Sequence, residues 1–133
     1  MKNIYREKEQ IFAAGLLLVK DMGKYWHFEK LNGYQPLTLF YTDFSVSEDY
    51  GADAVQETFE YCFQTAISSG IAPLTELVLV LMCKAEEVSE TDAALAKIYE
   101  GFWKKVDAYV QKNCKGYKLY HYYKILNLCG KLR

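Results

Sequence analysis

Proline is scarce in this chain: only Pro36 and Pro73 interrupt 133 residues. Few positions therefore forbid a helix. No apolar run reaches the roughly 20 residues of a membrane span; the longest are 11–19 and 77–82. The first has the length of a signal-peptide core. Glu7 and Glu9 precede it, however, and Lys20-Asp21-Met22 stands where small cleavage-site residues belong, so no leader is expected. The four cysteines, Cys62, Cys83, Cys114 and Cys129, form no Cys-x-x-Cys pair, and His27 and His121 stand alone. A sequence-local zinc site is thereby disfavoured. Each cysteine falls in or beside an apolar helical pattern, the setting of a buried, reduced thiol and of a cytoplasmic protein. The chain also lacks a glycine-rich phosphate loop, a Gly-x-Ser-x-Gly elbow, a His-Glu-x-x-His helix and a Glu-x-x-His pair. No cofactor is expected.

Hydrophobic residues make up 51% of the chain, enough to bury a core and to exclude disorder. Twelve tyrosines bring rings with polar tips, suited to half-buried seams and interfaces. The charge is sorted by position. Between residues 43 and 92 there are eleven acids and a single base, Lys84, a local net charge of −10. From Ala108 onward there is no acid, only Lys112, Lys115, Lys118, Lys124, Lys131 and Arg133. The total of −1 hides this asymmetry, which can guide a partner or be cancelled within the fold.

Periodicity predicts one all-α domain over 1–133, a compact bundle of four to five helices. A first helix is expected over 4–22, where Ile11, Phe12, Leu16, Val19 and Met22 step at threes and fours. Residues 23–44 are expected as an irregular, aromatic-rich connection, with loop, strand and short helix all left open by the sequence. A second helix opens at Ser45, with Glu48 at capping-box spacing, and ends at 68–70. The run 77–82 is apolar on every side, which makes the helix expected over 74–89 the central one. Glu86, Glu87 and Glu90 crowd its C-terminal end, where the helix dipole disfavours anions and a nearby cation is wanted. Thr91-Asp92 caps a fourth helix with an apolar stripe from Leu95 to Val110. Gly116 is a left-handed stop, and a last helix begins near Tyr117.

Two constellations carry potential chemistry. Glu57-x-x-Glu60 and Glu87-x-x-Glu90 are similar to the paired acidic motifs of all-α nucleotide pyrophosphohydrolases of the MazG type. That resemblance covers four positions, and the last is Asp in the family pattern. It implies carboxylates that hold Mg²⁺ against a nucleotide polyphosphate. Helical geometry instead turns Glu57 and Glu87 away from their apolar stripes. This favours a solvated acidic face, without metal or catalytic groups. The second constellation, Lys115, Lys118, Tyr120, Tyr122, Tyr123 and Lys124, mixes cations with rings as nucleic-acid surfaces do. The reading favoured here docks this basic helix on the acidic middle of the same chain or of a second copy. The expected function is that of a small bacterial, non-enzymatic interaction module that self-associates. A nucleic acid, or a basic protein docked on the acidic face, is the alternative partner, and no membrane is expected.

Overall fold

The computed structural model describes residues 40–128 together with the backbone of three short strands, β1 (Glu9–Ala13), β2 (Leu16–Asp21) and β3 (Tyr25–Lys30). Over residues 40–128 the chain is the expected helical bundle. Five helices, α1 (Phe40–Glu48), α2 (Ala52–Ser69), α3 (Ile71–Val88), α4 (Ala93–Asn113) and α5 (Tyr117–Leu128), follow in order.

The N-terminal segment corrects the expectation. Residues predicted as a helix over 4–22 supply β1 and β2, and β3 lies within the connection predicted as irregular. The three strands form an antiparallel sheet in sequence order. The register pairs Ala13 with Leu16 and aligns Ile11, Leu18 and Phe28 across the sheet. An apolar run such as 16–19 satisfies helix and strand periods alike. Phe40 and Tyr41, expected near the end of that connection, open α1.

A second correction falls at 49–51. The helix expected from Ser45 onward is two helices, because Gly51 takes a φ of +99° that residues with a side chain rarely adopt. Ser45 and Glu48 therefore sit inside α1 and do not cap a helix. Gly70, at φ +112°, makes the corresponding break between α2 and α3. Asp92 caps α4 as its sequence suggests, accepting the Leu95 N–H at 3.1 Å. Gly116 is left-handed at φ +59°.

The central helix is α3. Every residue from Pro73 to Ala85 is buried. The neighbours explain this: α1, α2, α4 and α5 all pack on α3, and β1 and β3 lie against it as well. A stretch with no solvent face is expected to be mostly apolar, as 77–83 is throughout; Thr75, Glu76 and Lys84 are the buried polar exceptions in α3. Around it, Phe59 of α2 stacks flat on Phe102 of α4 at 4.1 Å, and Phe44 of α1 meets Tyr99 of α4 edge-on at 5.6 Å. No described helix is long and apolar enough to cross a membrane.

Candidate functional site

Burial of α3 on all sides forces its one cation inside. Lys84 is 1% exposed. A buried ammonium is tolerated only when its donors are satisfied and its charge is compensated. Lys84 Nζ donates to Ser45 Oγ at 3.1 Å and to Glu87 Oε1 at 3.0 Å, and it lies 3.0 Å from Glu48 Oε2. The same ammonium sits 5.0 Å from the centre of the Tyr41 ring. Both carboxylates take a second donor: Tyr41 bonds Glu87 and Tyr99 bonds Glu48, each at 2.5 Å. The network ties α1 and α4 to α3. It also supplies the cation that the acidic end of α3 was expected to need, from within α3 itself. Its buried members bond to one another while Glu87 still reaches solvent, the arrangement of a structural lock.

Burial and the adjoining carboxylates raise the Tyr41 and Tyr99 hydroxyls well above the ordinary phenol range. Tyr122, whose hydroxyl donates to Asp107 Oδ1 at 2.6 Å, is raised for the same reasons. A phenol that is harder to ionise when folded stabilises the fold below its ordinary pKa, about 10, and this contribution is lost as pH rises beyond it. Stability should therefore fall steeply above about pH 10. In an absorbance titration these three phenols should ionise together with unfolding. Their full ionisation ahead of the loss of helical circular dichroism would contradict the assignment.

A groove of about 500 Å³ opens between α1 and α2, lined by Asp43, Val46, Ser47, Tyr50, Glu57 and Tyr61 among others. Val46, Tyr50 and Tyr61 are 54%, 78% and 69% exposed. The cause is local. The break at Gly51 folds α1 back beside α2, and Asp53, Glu57 and Tyr61 follow one another at i, i+4 and i+8 along one face of α2. Burial raises the Asp43 carboxyl above its usual range. Beneath the groove lies Cys62, whose thiol is pushed up to about 12 by burial and by the Asp43 and Glu76 carboxylates. A thiol so protonated is a packing group and a poor nucleophile. Cys83 and Cys114 are likewise buried, while Cys129 lies outside the described residues.

The basic surface is α5. Lys115, Lys118, Tyr120 and Lys124 are exposed as predicted from the sequence, and Tyr117, absent from the predicted set, is 80% exposed. Tyr117, Tyr120 and Lys124 fall at i, i+3 and i+7, a spacing that could have added Tyr117 to the set. Tyr122 is a correction: it is fully buried and anchors α5 to α4 through Asp107. Tyr123, half-buried, donates to Gln111 Oε1 of α4. Among the described residues no ion pair joins Lys115, Lys118 or Lys124 to Glu86, Glu87 or Glu90. Instead, α5 packs on α3 and is held to α4 by tyrosine hydroxyls.

The paired acidic motif is dispersed. Glu57, Glu60, Glu87 and Glu90 are all exposed. Glu57 lines the α1–α2 groove, whereas Glu87 belongs to the Lys84 network. Among the described residues no three His, Cys, Asp or Glu side chains gather in a way that could hold a metal ion. The groove and the Lys84 network were not read from the sequence. For Lys84 a signal was there, as the only base in an acidic stretch and inside an apolar helix. Comparison with family models, with curated proteins and with solved structures finds no match for this chain.

Proposed function

We propose that this protein is a non-enzymatic helical interaction module that associates with further copies of itself. One observation carries the reading: among the described residues, the large exposed apolar and aromatic side chains are gathered, with Val46, Tyr50 and Tyr61 at one groove and Tyr117 and Tyr120 on one helix. Singly exposed rings are ordinary, but grouped ones mark association surfaces. Tyrosine is also enriched where interfaces form, because its ring buries area while its hydroxyl stays wet. The polar network at Lys84 supports a rigid scaffold, since its groups are taken up in holding three helices together.

Self-association predicts an average mass that rises with protein concentration, read by sedimentation equilibrium or light scattering from the low micromolar to the millimolar range. Replacing Tyr50 and Tyr61 by serine should move that rise to higher concentration and leave the melting temperature nearly unchanged. A single-chain mass of 15.4 kDa at every concentration would reject the reading. The exposed Lys and Tyr face of α5 supports a second reading, binding of single-stranded nucleic acid through stacked rings and phosphate contacts.

A further inference from the structure

We infer that copies of this protein join through two unlike surfaces. The basic, tyrosine-bearing face of α5 on one copy seats in the acidic groove between α1 and α2 of the next. The inference rests on the self-association reading above and assigns its partner surfaces.

Charge complementarity carries it. Residues 40–69, which build the groove, hold six acids and no base. Residues 108–128 hold Lys112, Lys115, Lys118 and Lys124 and no acid. Within one chain these surfaces stand on different elements, and among the described residues no ion pair joins them. A symmetric contact of groove on groove would set acid against acid, and α5 on α5 would set lysine against lysine. Juxtaposed like charges oppose both arrangements. The unlike pairing brings Lys124 and Lys118 toward Glu57, Asp53 and Asp43.

Shape agrees with charge. The groove, at about 500 Å³, is of a size that takes a bulky side chain, and its rim offers Tyr50 and Tyr61 to the rings of Tyr117 and Tyr120. Exposed ion pairs contribute little each, so the rings anchor the contact while the lysines steer and orient it. The donor helix is preorganised, because its opposite face is already fixed by the buried Tyr122 and Leu126. Rigid presentation lowers the ordering cost of binding. A contact between unlike surfaces leaves each copy with one donor and one acceptor face, so it propagates or closes on itself.

The test uses two full-length variants altered only at exposed positions. Tyr117→Ser/Tyr120→Ser/Lys124→Gln removes the donor face, and Tyr50→Ser/Glu57→Gln/Tyr61→Ser removes the acceptor face. Unchanged circular dichroism and melting confirm that both fold. Each alone should associate at least about tenfold more weakly than wild type, and wild-type association should weaken as salt is raised. Mixed in equal amounts, the two should restore one species of two chains, because one retains a donor face and the other an acceptor face. Wild-type association that persists in either variant, or a mixture that stays monomeric, overturns the assignment of surfaces while leaving self-association standing. A wild type that is monomeric throughout overturns both. A fluorescent oligothymidylate provides the competing arm. Salt-sensitive binding that requires the α5 face, and that added acceptor-bearing chain does not displace, would assign α5 to nucleic acid and overturn the pairing.

Discussion

Replacing Lys84 by alanine should lower stability by about 3 kcal/mol, a fall in melting temperature of roughly 10 °C. Coulomb attraction is the smaller part of the reason. Removing the ammonium leaves Glu48, 21% exposed, with the Tyr99 hydroxyl as its side-chain partner among the described residues, and leaves a cavity where the lysine stem ran. Glu87 is 46% exposed and can be solvated, so its share of the loss is small. Lys84→Met restores the volume and not the charge, and should recover part of the loss. Lys84→Met combined with Glu48→Gln should recover more, because the stranded carboxylate is gone. Chemical denaturation of the three variants checks this order. A Lys84→Ala variant as stable as wild type would mean that the network does not hold α1 on the bundle.

Phe59→Ala should cost about 3–5 kcal/mol. Phe59 is 2% exposed, stacks on Phe102 with its ring parallel to within 1°, and touches Phe63 at 5.4 Å. The ring is a main link between α2 and α4, and helices on either side cannot close a void of that size. The denaturant midpoint should fall with the slope unchanged. Phe63→Ala, at a half-buried position, should cost clearly less. Equal losses at the two sites would show that the stacked pair is not the closure of the core that its geometry implies.

Both predictions bear on function through the α1–α2 groove. The groove exists because α1 is held by Lys84 and α2 by Phe59. Loosening either helix should therefore weaken self-association as well as the fold, whereas the exposed tyrosine substitutions weaken association alone.

Much of the bundle was legible in the chain. The central helix was legible because an apolar surface all the way round has only one stable place, surrounded by other elements. The stripe from Leu95 to Val110 and the cap at Asp92 are local patterns, and local patterns survive folding. The N-terminal segment was not legible, since the apolar residues of 11–19 satisfy two periods alike, and the partners that choose between them are other strands and α3, which the run itself does not reveal. Ser45 and Glu48 mimic a capping box, but their actual partner is Lys84, more than thirty residues away, and no spacing rule reaches that far. The candidate surfaces divided in the same way. Exposure of Lys115, Lys118, Tyr120 and Lys124 follows from the α5 pattern, while burial of Tyr122 depends on Asp107 in the neighbouring helix.

By itself, then, the sequence determined the helical class, the central place of α3 and the sorting of charge along the chain. Those follow from composition and period, which act over a few residues. The tertiary structure alone decided where the charges would meet. It drew Lys84 inward to neutralise the acidic end of its own helix, and it fixed α5 by tyrosine hydroxyls, leaving its lysines outward. Such choices depend on which elements lie side by side, and burial of a charge is settled only when its partners from other helices are in place.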